Sequence, residues 1–257
     1  MRIATWNVNS LNARLGRVEE WLDYARPDVL CMQETKLADA AFPYLAFEAR
    51  GYEAAHNGQG RWNGVAILSR VGIDEVVPGM PRSEASDPDE ARILTATCGG
   101  VRVSSVYVPN GRSLTDDHYR YKLRWLADLR SFLQATMSPG TPTVVAGDFN
   151  IAPADNDVAS GIRADTHTSP EVRGALADLL DWGMVDVFRQ HHPTEPIYSW
   201  WDYRAGDFHK GRGLRIDLLL ASPPVAERTS FVLIDRQARK GKLPSDHAPV
   251  LLDADLD

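Results

Sequence analysis

The sequence predicts an α/β fold in which two mixed β-sheets pack face to face and helices cover their outer surfaces. Many short apolar segments have the composition of strands, whereas only three longer segments have the apolar spacing of amphipathic helices. Strands and helices do not alternate one for one, as they would in a doubly wound parallel fold. The 257 residues contain no internal repeat, low-complexity tract or long linker, so we expect a single domain over residues 1–257.

The first part of the chain contains one helix among several strands. The helix is indicated by apolar residues at spacings of four and three residues, namely Leu11, Leu15, Val18, Leu22 and Ala25. We expect Ser10 to cap this helix and Pro27 to end it. The strands are predicted over residues 2–8, 28–32, 52–55, 64–69, 93–98 and 101–108.

The second part of the chain adds two long helices and five strands. The helices are predicted over residues 116–137 and 170–182. The strands are predicted over residues 142–146, 198–201, 215–221, 231–234 and 249–252. With so few helices between so many strands, we expect mainly antiparallel pairing within the two sheets.

Composition and charge narrow the class of protein. The formal net charge is -7 and the pI is near 5.5, whereas overall basicity is the usual mark of a nucleic-acid binder. Net charge does not describe one face of a molecule, however, so a local basic surface stays open. Cys31 and Cys98 lie in apolar runs, which predicts two buried, reduced thiols. We see no signal segment and no apolar run of ~20 residues, and we expect a cytoplasmic protein without membrane association.

Polar residues occur where predicted strands begin or end. They are Asn7 with Asn9, Gln33 with Glu34, Asp148 with Asn150, and Asp246 with His247. Strand ends at one edge of a sheet converge, and a rigid scaffold can hold reactive groups there. Each pair alone is also typical of an Asx turn or a strand end. Their recurrence favours one shared site.

The donor atoms of this group are carboxylate and amide oxygens with one imidazole and no thiolate. Such hard ligands favour Mg²⁺, with Mn²⁺ as a substitute, over zinc. Mg²⁺ is typically held by one or two carboxylates, while waters and substrate phosphate complete its coordination. Glu34, with Asn7 nearby, fits that kind of sparse site.

Eight short blocks of sequence carry these polar residues in one order. They are Thr-Trp-Asn-Val-Asn-Ser at 5–10, Gln-Glu-Thr-Lys at 33–36, Asn-Gly-Val-Ala-Ile at 63–67, Tyr-Val-Pro-Asn-Gly at 107–111, Gly-Asp-Phe-Asn-Ile-Ala-Pro at 147–153, Tyr-Ser-Trp-Trp-Asp-Tyr at 198–203, Gly-Leu-Arg-Ile-Asp at 213–217 and Ser-Asp-His-Ala-Pro-Val at 245–250. Together they resemble the exonuclease III family of abasic-site endonucleases, bacterial type. Single blocks such as Gly-Asp-Phe-Asn also suit the wider endonuclease/exonuclease/phosphatase superfamily.

The resemblance implies a four-layer α/β sandwich and a Mg²⁺-dependent DNA-repair phosphodiesterase. Such an enzyme hydrolyses the DNA backbone 5′ to abasic sites. It also removes nucleotides or blocking groups from 3′ ends, as a 3′→5′ exonuclease and 3′-phosphodiesterase or phosphatase. Its partner would be double-stranded DNA with abasic sites or damaged 3′ ends. We expect a monomer, associated with the nucleoid in a bacterium.

The resemblance also implies roles for the metal-site residues. Glu34, with Asn7, would bind the metal, and Asp148 would orient or deprotonate the attacking water. Asn150 would hold that water or the phosphate. Asp246 would lie behind the ligands or help a second ion, and the number of ions stays open. The residues expected around the metal are therefore Asn7, Glu34, Asp148, Asn150, Asp246 and His247.

Three further residues would act on the phosphate. His247, paired with Asp217, would stabilise its developing charge, since an imidazole oriented by a carboxylate can serve as a fixed cation. Tyr107 would sit against the phosphate or the leaving oxygen. The remaining histidines lack such companions, and we expect surface or core positions for His56, His118, His167, His191, His192 and His209.

DNA recognition would divide between a pocket and a basic surface. The resemblance places Trp200, Leu214 and Ile216 around a small apolar pocket for a base-free sugar, although packing of all three in the core is an alternative. Extrusion of a base-free site costs little, which favours a pocket that selects by size. Basic residues near the pocket could hold the DNA backbone or form a solvated loop, and they are Arg112, Lys122, Arg204, Lys210, Arg212 and Arg215.

Two other functions remain open from the sequence. One is a superfamily phosphodiesterase or phosphatase that acts on a phosphate ester other than DNA. The Trp-Trp block and the Gly-Leu-Arg-Ile-Asp block favour the abasic-DNA branch instead. The other is a non-catalytic DNA-binding module, which would be expected to lack some of Glu34, Asp148, Asn150, Asp217 and His247.

Overall fold

The computed structural model describes residues 1–85 and 87–256. The strands are β1 Arg2–Asn7, β2 Val29–Gln33, β3 Glu53–Asn57, β4 Val65–Ser69, β5 Asp74–Pro78, β6 Ile93–Cys98, β7 Val101–Tyr107, β8 Thr143–Asp148, β9 Val185–Asp186, β10 Asp217–Ala221, β11 Thr229–Ile234 and β12 Val250–Ala254. The helices are α1 Leu11–Ala25, α2 Tyr44–Glu48, α3 Asp117–Thr136, α4 Asp165–Thr168, α5 Pro170–Asp181, α6 Val187–His191, α7 Asp207–Lys210 and α8 Pro223–Ala226.

The strands form two six-stranded sheets. The first has the order β11-β12-β1-β2-β4-β3 and the second has the order β5-β6-β7-β8-β10-β9. Only the pairs β1–β2 and β7–β8 are parallel among the pairs within these sheets. The prediction of two mixed, mainly antiparallel sheets is confirmed.

Three apolar layers hold the elements together. One cluster lies between the sheets and contains β1 residue Ile3 and β8 residue Val144. A second cluster packs α1 against the outer face of the first sheet, where Val18 and Leu22 are buried. A third packs α3 and α5 against the second sheet through residues such as Leu129. The result is the four-layer sandwich of helix, sheet, sheet and helix.

The stripe predicted for α1 is the face that it buries. Helix α1 ends at Ala25, because Arg26 adopts a left-handed conformation with φ 47° ahead of Pro27. Ser10 precedes the helix as predicted, but its side chain makes no capping hydrogen bond. Helix α1 is therefore stabilised by packing of its apolar face and not by a side-chain cap.

Some sequence-based assignments were wrong. Residues 198–201 form no strand; Trp200 makes only isolated bridges to Leu214 and His247. Strand β5 was missed because all its residues are exposed, which removes the apolar signal of a strand. The short helices α2, α4, α6, α7 and α8 span four or five residues, too few for a helical period to be recognised.

Two remaining expectations concern thiols and membranes. Cys31 and Cys98 are free and buried, as predicted. Within the described part of the chain, no helix combines the length and apolar character needed to cross a bilayer.

Candidate active site

The strand-end residues meet at one edge shared by both sheets. Strands β1 and β2 are parallel, so Asn7 and Gln33 end them side by side. In the second sheet β8 ends at Asp148, which lies opposite Asp217 at the start of β10. His247 enters the same edge because it precedes β12, which runs antiparallel to β1. The fold therefore brings together groups that are far apart in sequence.

Asn7 links the two sheets at the centre of this edge. Its Nδ2 donates to Glu34 Oε1 at 2.9 Å and to Asp148 Oδ2 at 3.0 Å. Its Oδ1 accepts the backbone N–H of Asn9 at 2.9 Å, so every polar atom of this fully buried amide is used. A buried amide satisfied on both sides holds the two carboxylates at a fixed separation.

Beside Asp148, an imidazole is oriented by a second carboxylate. His247 Nδ1 lies 2.9 Å from Asp217 Oδ2, and Ser199 Oγ donates to the same oxygen at 2.6 Å. The other ring nitrogen, Nε2, lies 3.8 Å from Asp148 Oδ2. Burial lowers the pKa of His247, but the Asp217 and Asp148 carboxylates outweigh it and raise the pKa to about 10. The imidazole is therefore a fixed cation at neutral pH.

Asp148 is a buried carboxylate with a raised pKa. Burial raises its pKa to about 7, although the His247 cation opposes this shift. Its Oδ1 accepts the backbone N–H of Asn150 at 2.9 Å. A carboxylate poised near neutral pH can accept a proton from a bound water, as general-base catalysis requires.

Glu34, Asp148 and His247 form a cluster whose ligand atoms lie within 4.8 Å of one another. Burial disfavours the Glu34 anion, but the Lys36 ammonium 2.8 Å away and the Asn7 amide lower its pKa. The ionised Glu34 and the nearby Asp148 supply the hard oxygen donors that suit a divalent cation. Asp217 holds His247 Nδ1, so the other ring nitrogen, Nε2, is the atom that faces this pair.

Asp246 lies next to the cluster and bonds to residues that surround it. Its Oδ1 accepts from Asn9 Nδ2 at 2.9 Å and its Oδ2 accepts from Trp200 Nε1 at 3.1 Å. These contacts tie the carboxylate to the turn after β1 and to the aromatic ring. Asp246 is therefore placed to hold Asn9 and Trp200 in position beside the cluster.

Asn150 and Tyr107 complete the polar wall on the second sheet. Asn150 has a left-handed backbone with φ 50°, and its Nδ2 donates to Val108 O at 2.9 Å. Its Oδ1 accepts from Asn110 Nδ2 at 3.2 Å. Burial and the nearby Glu34 carboxylate raise the pKa of Tyr107 well above its usual value, so the phenol keeps its proton.

Two residues near the site were missed or misplaced by sequence reasoning. His167 was expected in the core or on the surface without a partner, yet its Nε2 lies 3.2 Å from Asn150 Oδ1. Burial and the nearby Lys122 lower its pKa to about 3, so it is a neutral imidazole there. Ser199 orients Asp217, and its position in the Tyr-Ser-Trp-Trp block was the only signal for it.

The three expected pocket residues do lie together. Trp200 packs against a small apolar cluster that contains Leu214 and Ile216, each 2% exposed. Trp200 keeps a partly exposed ring, whereas Trp201 is fully buried in the core. Trp200 therefore faces the site and Trp201 faces the core.

The basic residues fall into exposed and buried sets. Arg112, Arg204 and Lys210 are exposed and Arg212 is partly exposed. Arg204 pairs with Asp202 and Arg212 pairs with Asp207, so part of this charge is neutralised locally.

Lys122 and Arg215 correct the expectation of contact with the DNA backbone. Both side chains are completely buried. The Lys122 ammonium donates to Asn150 O at 2.6 Å and to Thr166 O at 2.8 Å, and burial lowers its pKa to about 7. The Arg215 guanidinium pairs with Asp157 and Asp186. Lys122 therefore holds the backbone of Asn150 from inside the protein, whereas Arg215 is held in its buried ion pairs. Neither side chain can reach a phosphate at the surface.

The sequence is similar to that of known proteins of one family. Residues 4–247 match the model of the Endonuclease/Exonuclease/phosphatase family. The chain is 35% identical to exodeoxyribonuclease III of Haemophilus influenzae, over 97% of this chain and 98% of that protein.

Two solved structures are similar over nearly the whole chain. An AP endonuclease from Archaeoglobus fulgidus superposes with a TM-score of 0.95 at 39% identity, covering 100% of both chains. A variant of the 3′ phosphatase NExo from Neisseria, bound to a product DNA hairpin, superposes with a TM-score of 0.92 at 40% identity, covering 99% of both chains.

Proposed function

The chain belongs to the endonuclease/exonuclease/phosphatase family, and from this membership we propose that it is a metal-dependent DNA-repair phosphodiesterase. It hydrolyses the DNA backbone 5′ to abasic sites and removes nucleotides or blocking groups from 3′ ends. The observation that carries the proposal is the buried junction in which Asn7 bridges Glu34 and Asp148 beside the His247–Asp217 pair. Activated water and a charge-stabilising cation are the two parts that phosphodiester hydrolysis needs.

In this mechanism Asp148 accepts the proton of the attacking water. The water oxygen forms a bond to phosphorus, and the bond from phosphorus to the leaving 3′ oxygen breaks. That oxygen takes up a proton from solvent, and Asp148 returns its proton to solvent. Asn150, fixed by Val108 O and by the Asp148 carboxylate, orients the water or the phosphate. Tyr107, a phenol that keeps its proton, lies at the phosphate or the leaving oxygen.

His247 stabilises the charge that develops on the phosphate. Asp217 and Ser199 hold the imidazole in place, so no reorganisation is needed when that charge appears. Glu34, steadied by Asn7, and Asp148 would hold the divalent ion, which we propose is Mg²⁺ with Mn²⁺ as a substitute. When bound, that ion supplies Lewis-acid neutralisation of the phosphate.

Substrate selection follows from two further surfaces. Trp200, with Leu214 and Ile216 behind it, receives the base-free sugar, which is cheaper to extrude than a paired nucleotide. The DNA backbone contacts Arg112, Arg204, Lys210 and Arg212, the exposed members of the basic set. The similarity to an AP endonuclease and to a phosphatase bound to a DNA hairpin supports double-stranded DNA as the partner.

We further propose that residues 1–257 act as one catalytic domain and as a monomer. The family match covers residues 4–247, which supports a single unit. Association with the nucleoid, in a bacterium, would follow from the proposed substrate.

The experiment uses a duplex with a single abasic analogue, incubated with the protein with and without Mg²⁺. We expect one cut immediately 5′ to the analogue, only when the ion is present. A matched duplex with a normal nucleotide at that position is the control for specificity. A recessed 3′ end that carries a phosphate tests removal of blocking groups. Undiminished cutting in excess chelator after metal stripping would contradict the proposal.

A further inference from the structure

A buried histidine contacts the residue that follows Glu34 in the chain. His56 lies on β3, and its side chain is 0% exposed. Its Nε2 lies 2.8 Å from Thr35 Oγ1, and its Nδ1 lies 2.8 Å from Asp39 Oδ1. Thr35 is also completely buried, whereas the Asp39 side chain is 60% exposed. A carboxylate, an imidazole and a hydroxyl therefore connect the surface to the turn that carries Glu34.

The carboxylate decides which ring nitrogen carries the proton. Asp39 beside Nδ1 favours a proton there, so Nε2 of His56 accepts a hydrogen bond from the Thr35 hydroxyl. The contact between Nδ1 and Asp39 is close but does not have hydrogen-bond geometry, so the carboxylate acts on the ring through its charge. Phe42 stacks on the imidazole with 4.3 Å between ring centroids. Asp39 Oδ1 also accepts the N–H of Gly58 at 2.8 Å, so the acid and the ring are both held.

The turn next to Thr35 is one that the chain would not adopt alone. Glu34 and Lys36 both have φ 53°, the left-handed region that residues other than glycine rarely occupy. The Thr35 N–H donates to Gly64 O at 3.1 Å, and the Leu11 N–H donates to Thr35 O at 3.0 Å. A Cβ on Gly64 would lie 2.1 Å from Thr35 Oγ1, so a glycine is needed where the loop closes over the hydroxyl. The turn is therefore anchored at Thr35 through both its backbone and its side chain.

We propose that His56 is a positioning residue for the metal site. With Asp39 it holds Thr35, and through Thr35 it sets the direction of the Glu34 carboxylate. The inference rests on the proposed function, because it takes Glu34 as the main carboxylate that holds the divalent ion. Groups that orient a metal ligand typically change metal affinity by about 10- to 100-fold when they are removed.

The test measures binding of Mn²⁺ to the DNA-free protein, with the free ion counted by electron paramagnetic resonance. Thr35→Val removes the hydroxyl and keeps the shape of the side chain. We expect Thr35→Val and His56→Phe each to weaken Mn²⁺ binding about 10-fold. The double variant should be no weaker than either single variant, because both remove the same hydrogen bond. Thr35→Ser, which keeps the hydroxyl, should bind Mn²⁺ like the wild type.

Thr143→Val is the matched control. Thr143 is also fully buried, but its hydroxyl has no hydrogen-bond partner among the described residues. It begins β8, whereas Asp148 ends that strand, so it lies at the far end from the site. Thr143→Val should keep wild-type Mn²⁺ affinity. Asp39→Asn, at an exposed side chain, tests the same connection without disturbing the core and should weaken Mn²⁺ binding less than Thr35→Val does.

Each outcome decides the inference. Wild-type Mn²⁺ affinity in folded Thr35→Val or His56→Phe overturns it, and if Thr35→Val does not fold, His56→Phe and Asp39→Asn decide by the same measurement. Glu34→Ala separates this inference from the proposed function. If Glu34→Ala weakens Mn²⁺ binding strongly and Thr35→Val does not, only the positioning role fails. If Glu34→Ala leaves Mn²⁺ binding intact, the proposed metal site and the positioning role fail together.

Discussion

The proposed catalytic cluster (Asn7, Glu34, Asp148, Asp217 and His247) and the basic loop at residues 202–212 hold their charged groups in opposite ways. In the cluster, partners come from distant parts of the chain: Asn7 binds Asp148 across 141 positions and His247 binds Asp217 across 30. In the loop, Arg204 pairs with Asp202, two positions away. The cluster is therefore made by the fold, whereas the loop satisfies its charges locally.

The charged groups of the cluster are mostly buried and the basic groups of the loop are mostly exposed, and this difference affects how much a substitution changes. Asp148 is 2% exposed and His247 is 3% exposed, whereas the Arg204 side chain is 87% exposed. Removing one member of a buried charged network leaves the others without a partner, but water replaces a lost contact at the surface. We therefore expect large effects on turnover from the cluster and small effects on binding from the loop.

The largest expected effect is that of Asp148→Asn. The amide keeps the shape of the side chain but cannot accept the proton of the attacking water, so kcat should fall at least ~10²-fold. Steady-state cleavage of an abasic duplex measures kcat, and single-turnover cleavage isolates the chemical step. DNA binding should survive, and a folded variant with wild-type turnover would show that Asp148 does not activate the water.

His247→Ala should follow closely, with kcat lowered by roughly 10²-fold because the cation aimed at the phosphate is lost. Asp217→Asn is the companion variant, since it keeps His247 but removes the carboxylate that holds the imidazole charged. It should lower kcat in the same direction and by a smaller factor. Unchanged turnover in both variants would contradict the fixed-cation role.

Trp200→Ala lies at the boundary between the two regions, and its effect should be intermediate. Loss of the partly exposed ring should lower discrimination between abasic and intact DNA by about 10-fold, in the range typical of an apolar pocket. The dependence of binding on salt should not change, because no charge is removed. Competition binding with the two duplexes at several salt concentrations measures both quantities. If a folded variant still discriminates fully between abasic and intact DNA, Trp200 does not contribute to the pocket.

The smallest expected effect is that of Arg212→Ala in the loop. Each phosphate contact that is lost makes the log–log salt dependence of binding shallower by up to about one unit. Because Asp207 already pairs with Arg212, we expect a change below that limit. Arg228→Ala, which removes the same charge from an exposed position two residues after α8, is the matched control. If Arg212→Ala abolished discrimination and left the salt slope untouched, the groove and the pocket would be assigned the wrong way round.

Sequence reasoning predicted much of the fold and most members of the cluster. Helical spacing predicted α1 because that helix buries one face. The apolar runs predicted most of the longer strands because strands such as β2, β4 and β8 are buried on both faces. The polar residues at strand ends were identified individually, since each follows or precedes a recognisable strand. Exposed β5 and the short helices gave no comparable periodic signal.

Pairing of side chains was less accessible to the sequence. Lys122 and Arg215 were taken as surface cations, since a basic side chain has the same appearance in a sequence whether it is buried or exposed. The structure buries both against acceptors from distant segments: three backbone carbonyls around Lys122 and two carboxylates around Arg215. His56 and His167 were given no partners for the same reason, because Thr35 and Asn150 approach them only in the folded chain.

The sequence by itself therefore determined the kind of fold, the order of the motifs and the chemical nature of the donor atoms. These properties depend on local periodicity and on side-chain chemistry, which are written in neighbouring residues. Only the tertiary structure decided which donors meet. The bridge from Asn7 to Asp148 requires the edges of two separate sheets to align, and that alignment depends on strand register and on packing of the core between them.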